Sequence, residues 1–297
     1  MNTALLILPS FMLILIGLAL ARAFDYGRDF WEGLEKLVYF VLFPALLFRS
    51  IAVSAIDFGS LARVVGSAWG ILLTAVALAA LTRPIFKPEP ILAASCAQCA
   101  FRFNTYIGFA VAGSLFGPPG LAVAALLAGA VVPIANVFAV AFLAKHGKRG
   151  FLGELARNPL IVSTVAGFLF NVAGLKLPDF ADRTLDLLGS SALPAGLLAV
   201  GAALRLEPPH GAMGPHAWWL TVKLFVKPLA AFGCIRFFGL TGVEAGVLML
   251  WASLPCASSA YILAVRMGGD GPAVATQVTA GTLMAMITIP LWMMTVT

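Results

Sequence analysis

The sequence predicts an all-α polytopic membrane protein: ten transmembrane helices arranged as two inverted five-helix repeats, with helices 4 and 9 broken. Three observations predict it: the composition, a self-similarity between the two halves, and a matched pair of polar interruptions. Of the 297 residues, 61% are hydrophobic and 11% are charged, and mean hydropathy is +0.99. A soluble domain carries about 25% charged residues, so a water-soluble globular domain is excluded, and so is a disordered chain. The apolar residues form long continuous runs rather than the short alternating segments of a transmembrane barrel. At about 20 residues per helical span, the length accommodates ten.

The first span covers 3–22; its start, MNTALLILPSF, lacks the basic region of a cleaved signal. Spans follow at 36–54, 62–82, 90–116 and 120–144. The longest hydrophilic stretch, Lys145 to Arg157, then divides the chain. Further spans fall at 158–175, 184–204, 217–238, 244–267 and 272–296, with a Pro/Gly turn at Glu207-Pro-Pro-His-Gly. The repeat is read from one offset of 150 residues: Pro9 matches Pro159, Gly17 matches Gly167, Asp29-Phe30 matches Asp179-Phe180, and Pro44 matches Pro194. At a slightly longer offset Tyr106-Ile107 matches Tyr261-Ile262, and Gly113 matches Gly268. The first repeat occupies 1–145, a cytoplasmic connecting loop 146–157, and the second repeat 158–297. Five spans is an odd number, so consecutive repeats have opposite orientations, as in many secondary transporters.

Basic residues set the orientation. With the N-terminus outside, inner loops carry eleven Lys/Arg and outer loops five, which places both termini outside. The net charge of +6 is therefore an orientation signal and not a nucleic-acid footprint. Cys96, Cys99, Cys234 and Cys256 lie in apolar runs and read as packing residues. His146, His210 and His216 fall in loops or at a span edge.

Three basic residues remain inside spans: Arg102, Lys223 and Lys227. A basic group at mid-bilayer costs at least about 2.5 kcal/mol, and no carboxylate lies near mid-span to pair with it. Arg102 either pairs with backbone carbonyls freed at a helix break or meets an anion. Lys223 either snorkels to an interface or joins Lys227, one turn on. Pro228 is expected to kink their helix.

The polar interruptions are Cys99-Ala-Phe-Arg-Phe-Asn-Thr-Tyr-Ile-Gly108 in span four and Ser253-Leu-Pro-Cys-Ala-Ser-Ser-Ala-Tyr-Ile262 in span nine. Asn104, Thr105, Ser258 and Ser259 are residue types that start helices, and Pro255 cannot bond the carbonyl of Trp251. A helix that restarts at mid-membrane presents unpaired N–H groups and a positive dipole end. With Arg102 and Lys227 this makes a focus for a carboxylate. The bland reading is that the hydroxyls bond back to carbonyls of their own helices. Asn136, Asn171, Gln277 and Thr279 either line a cavity or join helices, and the Gly66-x-x-x-Gly70 spacing is of the kind expected by chance among 29 glycines.

Phe101-Arg-Phe-Asn-Thr-Tyr-Ile-Gly108, Ala257-Ser-Ser-Ala-Tyr-Ile262, Thr279-Ala-Gly-Thr-Leu283 and Lys36-Leu-Val-Tyr-Phe-Val-Leu-Phe-Pro-Ala-Leu-Leu-Phe48 resemble bacterial members of the auxin efflux carrier family. That family includes plant PIN auxin exporters and bacterial permeases for malate or malonate, and the resemblance covers nearly the whole chain. It implies a homodimer, a scaffold of spans 1, 2, 6 and 7, and a transport domain of spans 3–5 and 8–10. Spans 4 and 9 would cross at their breaks. Asn104 is similar to the crossover asparagine, and Pro255 to the crossover proline of span nine. No proline adjoins Arg102-Phe-Asn-Thr, so the first break is expected to be the less sharp.

The function expected is secondary transport of a small organic anion, a mono- or dicarboxylate of auxin-like or malate/malonate-like kind, by elevator-type alternating access. The expected substrate-binding residues are Arg102, Asn104, Thr105, Pro255, Ser258, Ser259 and Lys227. The alternative is a Na⁺- or H⁺-coupled organic-anion symporter of bile-acid-transporter-like fold. An uncoupled carrier would favour export of an anion, because the cell interior is negative. Enzyme activity is not expected: no His, Asp or Glu constellation sits within the spans. No cofactor, metal or nucleic-acid partner is expected. The partners are the anion, the lipid bilayer (a bacterial inner membrane) and a second copy of the chain.

Overall fold

The structure is a computed structural model that describes residues 3–24, 26–54, 58–143, 159–205 and 212–296. The Lys145–Arg157 loop, the Glu207 turn, His146 and His210 lie outside the described residues. The chain is an all-α polytopic membrane protein. In order, α1 (Thr3–Ala23) precedes α2 (Gly27–Leu37), which passes through a π-turn (Val38–Leu42) into α3 (Phe43–Ala52). Then come α4 (Phe58–Ala80), α5 (Thr82–Phe86), α6 (Pro90–Cys96), a 3-10 turn (Ala97–Ala100) and α7 (Thr105–Leu143). After the hydrophilic loop follow α8 (Pro159–Val172), α9 (Asp179–Ala202), α10 (Met213–Thr221), a second π-turn (Val222–Val226), α11 (Lys227–Phe238), α12 (Gly242–Ser253), α13 (Ser259–Arg266) and α14 (Gly271–Met293). Among the described residues, five stretches are long and apolar enough to cross a membrane: Leu5–Ala23, Leu61–Phe86, Pro90–Leu143, Asp179–Ala202 and Gly271–Met293. The third is subdivided. Gly117 leaves helical geometry (φ 61°, ψ −151°) and bends α7 where the sequence reads Gly-Pro-Pro-Gly, a conformation that glycine adopts without steric cost.

The chain forms two compact units. One comprises 1–61, 106–129 and 150–203. In it α1 packs along α9, and α3 packs on α8 and α9. Glycines permit the closest approaches: a Cβ on Gly17 would overlap the Leu198 carbonyl, and one on Gly201 the Ile14 carbonyl. Close contact between small residues is how helices associate where lipid is as apolar as leucine. Arg49 at the end of α3 bridges to α9, with Nε on Asp182 at 2.7 Å and Nη1 on Asp186 at 2.6 Å. Asn171 donates to the carbonyls of Ile51, Ala52 and Ser54 (3.0, 3.1 and 2.7 Å), closing the C-terminal end of α3. It thus joins elements of the unit, one of its two expected roles.

The other unit comprises 62–105, 130–149 and 204–297. Its core is α11 on α12, α12 on α14, and α13 on α14. Three tryptophans supply donors to backbone carbonyls. Pro228 has no N–H to offer the carbonyl of Leu224, four residues earlier, and the Trp292 indole donates to it at 2.9 Å. Trp69 donates to Ala130 in the turn before Pro133 (3.1 Å), and Trp218 to Leu78 near the end of α4 (2.8 Å). In lipid, carbonyls without donors are costly, so prolines in spans are tolerated where neighbours resupply the bond. Trp292→Phe keeps an aromatic ring but orphans the Leu224 carbonyl. It is expected to destabilise by about 1–2 kcal/mol, read as a fall in apparent Tm in detergent. Trp219→Phe is the matched control, since the buried Trp219 Nε1 has no hydrogen-bond partner to lose among the described residues; its Tm should fall less.

Candidate functional site

The candidate site is built within the second unit from two places where helix stops and restarts. At the first, α6 tightens into the 3-10 turn, and the Gln98 carbonyl accepts from both Phe101 N–H (3.2 Å) and Arg102 N–H (2.9 Å). Residues 101–104 are not helical, and α7 begins at Thr105. At the second, α12 ends at Ser253, residues 254–258 are not helical, and α13 begins at Ser259. Pro255 lies within this segment, and the carbonyl of Trp251 is met by a long bond from Leu254 N–H (3.4 Å). The two interruptions are tied directly: Asn104 N–H donates to the Pro255 carbonyl at 2.9 Å. The first interruption, expected to be the milder, is of similar extent to the second. A proline is not required there, because the Arg102 N–H bonds the Gln98 carbonyl of the 3-10 turn and the Arg102 carbonyl accepts from a side chain, that of Lys223.

Those partners account for the basic residues. The Lys223 ammonium donates to the Arg102 carbonyl, and Lys223 is 1% exposed. Lys223 therefore does not snorkel, and it is the carbonyl of Arg102, rather than the guanidinium, that carries the lysine bond. The Arg102 guanidinium bonds side chains: Nη1 to Gln98 Oε1 and Nη2 to Ser259 Oγ, each at 2.9 Å. Lys227 is 1% exposed, its Nζ lies 4.4 Å from the Trp251 ring centroid, and it has no hydrogen-bond partner among the described residues. Trp251 also meets Phe103 edge-on, with centroids 5.4 Å apart. The π-turn explains how both lysines reach one place. Its wider turn, closed by Lys227 N–H to the Val222 carbonyl, re-aims side chains just ahead of Pro228, and π-turns recur at functional sites.

The structure thus brings Arg102, Asn104, Pro255 and Ser259 into one hydrogen-bonded constellation. Thr105 opens α7 and Ser258 flanks α13. Among the described residues the Ser258 hydroxyl makes no bond back to a helix carbonyl and has no partner, against the bland reading of that residue. Lys227 joins through Trp251 and Phe103 rather than by a polar contact. Gln98, which sequence reasoning passed over, is fully buried and donates to Ser95 O (3.0 Å) and Ala260 O (3.2 Å) while accepting from Arg102. Its signal was available: it is a lone amide in Cys96-Ala-Gln-Cys-Ala100. Arg205 lies over the ring of Tyr261 of α13 at 4.7 Å, and its backbone N–H donates to Thr279 (3.0 Å). Gln277 bonds His216 of α10, with Nε2 at 2.6 Å from Nδ1 and 3.0 Å from the carbonyl, so it joins helices.

Comparison with known proteins follows the same direction. Residues 148–293 match the family described as membrane transport protein. Over 287 residues the chain is 25% identical to a provisionally named malonate transporter of Rhizobium meliloti, covering 89% of this chain and 86% of that one. It is 23% identical over 294 residues to an uncharacterized transporter of Methanothermobacter thermautotrophicus, covering 96% of each. It is 24% identical over 306 residues to the uncharacterized transporter YfdV of Escherichia coli K12, covering 96% and 95%.

Proposed function

We propose that this chain, whose residues 148–293 match the membrane transport protein family, belongs to that family and is a secondary transporter that carries a small mono- or dicarboxylate across the membrane. The observation that carries the reading is the basic constellation at the paired helix interruptions. Arg102, Lys223 and Lys227 gather there, and no ion pair joins either lysine to a carboxylate among the described residues. Basic groups at such depth face a cavity or a partner, and half-helix N-termini favour an anion. The malonate transporter among the relatives agrees with that cargo.

In this reading the two interruptions are crossing breaks of spans 4 and 9 in an inverted five-plus-five repeat. The second unit, which holds both, acts as the moving transport domain. The first holds α1, α2, α3, α8 and α9, which act as the scaffold of an elevator presented as a homodimer with both termini outside, and also residues 106–129 of α7, which this reading assigns to the moving spans 4 and 5. Substrate contacts fall to Arg102, Asn104, Thr105 and Ser258, with Ser259 bonded to the Arg102 guanidinium, Pro255 shaping the second break and Lys227 supplying field. The test is uptake and efflux of labelled malonate, malate and an aromatic monocarboxylate in proteoliposomes, at imposed potentials and with or without Na⁺ or pH gradients. Saturable movement of at least one of them is expected. Failure of all three to move, with none raising the thermal midpoint of the purified protein, overturns the reading.

A further inference from the structure

Within the constellation, the two side chains that hold the Arg102 guanidinium are not equivalent. Gln98 is 0% exposed, whereas Ser259 is exposed. Gln98 grips Arg102 twice: its main-chain carbonyl accepts from the Arg102 N–H, and its side-chain Oε1 accepts from Nη1. Both protons of its amide are also committed, to the carbonyls of Ser95 before the first interruption and of Ala260 in α13. An amide bonded on three sides in a buried place has one orientation, and the polarity of its partners sets it: carbonyls on the nitrogen side, a guanidinium on the oxygen side. Releasing it would leave buried polar groups unpaired. Among the described residues Ser259 joins this network by the one bond from Nη2, and an exposed hydroxyl exchanges such a bond at less cost than a buried amide.

We propose that Gln98 is the positioning residue of the anion site, and that the Ser259 hydroxyl is the contact an incoming carboxylate replaces. Gln98 holds one nitrogen of the guanidinium fork, so that the other nitrogen, on the exposed side, is aimed before the anion arrives. A preoriented fork loses less freedom on binding. Gln98 touches no substrate. Because its amide spans from Ser95 to Ala260, it also keeps the first interruption in register with α13, whose first residue is Ser259. The proposal rests on the anion-carrier reading for its kinetic test and on geometry alone for a second one.

The kinetic test compares wild type, Gln98→Met and Ser259→Ala in proteoliposomes, with labelled malonate as the probe. Gln98→Met is expected to raise KM about tenfold or more while kcat changes less than about threefold, the pattern of lost binding rather than lost turnover. Ser259→Ala is expected to lower KM by about twofold or more, because the carboxylate no longer has to displace a hydroxyl to reach Nη2. An unchanged KM in Gln98→Met, or a rise in Ser259→Ala as large as that in Gln98→Met, overturns the proposal. Should Gln98→Met not fold, Gln98→Glu keeps the acceptor at the same reach but pairs its own charge with Arg102; it is expected to raise KM, and an unchanged KM overturns the proposal equally. Absence of malonate transport by wild type counts against malonate as the cargo, not against Gln98. In that event thermal double-mutant cycles decide, with no ligand present. The Tm shifts of Gln98→Met and Arg102→Gln should fail to add by about 3 °C or more, and those of Ser259→Ala and Arg102→Gln should add within about 1 °C. Additive shifts for the Gln98 pair overturn the proposal.

Discussion

Arg102→Gln is expected to abolish carrier activity toward a carboxylate while leaving a folded protein. The guanidinium is the charged side chain of the constellation that reaches the exposed side, through Ser259. Gln98 and Ser259, which bond it, are neutral, so these two bonds hold its geometry without cancelling its charge. Removing one member of a hydrogen-bonded charge pair costs about 2 kcal/mol or more, at least roughly thirtyfold in apparent affinity at 1.4 kcal/mol per tenfold. Folding should survive, because glutamine is cheaper than arginine at membrane depth and the Arg102 carbonyl keeps its bond from Lys223. Arg102→Lys should fall between the two, with charge retained and the planar fork lost. The checks are initial rates of labelled carboxylate uptake and the thermal midpoint of each purified variant. Normal transport by Arg102→Gln combined with Lys227→Gln would show that no basic anchor holds the substrate.

Gly201→Val is expected to prevent accumulation of folded protein, the largest structural effect among single substitutions here. A Cβ at Gly201 lands on the Ile14 carbonyl and the Leu18 backbone nitrogen, and backbone cannot move aside as a side-chain tip can. The α1–α9 contact would have to open along its length, also loosening the Gly17–Leu198 approach. Overpacking against rigid neighbours costs about 3 kcal/mol, a large share of the 5–15 kcal/mol typical of folded proteins. Gly70→Ala in α4 is the contrasting substitution: nothing lies within 4 Å of the added Cβ, and helix propensity improves by up to about 1 kcal/mol. Size-exclusion profiles and apparent Tm in detergent should show Gly201→Val lost or strongly destabilised and Gly70→Ala equal to wild type or more stable. A monodisperse Gly201→Val with unchanged Tm would contradict the packing of α1 on α9.

The contrast between these two glycines marks where sequence reasoning stops. Gly66-x-x-x-Gly70 has the spacing of a helix-contact motif, yet an added Cβ at either position meets nothing. Gly17 and Gly201 carry no such spacing, yet they sit at the closest backbone approaches. Spacing places residues on one face of one helix, but what opposes that face depends on a partner far away in the chain.

By itself the sequence determined that the chain is all-α and polytopic, and where polar residues interrupt its apolar runs. Those properties follow from local facts: apolar runs, a Pro255 without an N–H, and polar Asn104, Thr105, Ser258 and Ser259 at depth. It also singled out Arg102, Lys223 and Lys227, because an intramembrane charge is visible without any fold. Only the tertiary structure decided what those charges touch. Whether Lys223 snorkels or bonds the Arg102 carbonyl turns on a helix 121 positions further along, and the partnership of Arg102 with Ser259 spans 157. Gln98 stayed unnoticed because an amide has no net charge and its importance lies wholly in its three partners. Charge and helix-breaking are properties of a residue and can be read in one dimension. Satisfaction of hydrogen bonds is a property of a set of residues, and exists only once the chain has folded.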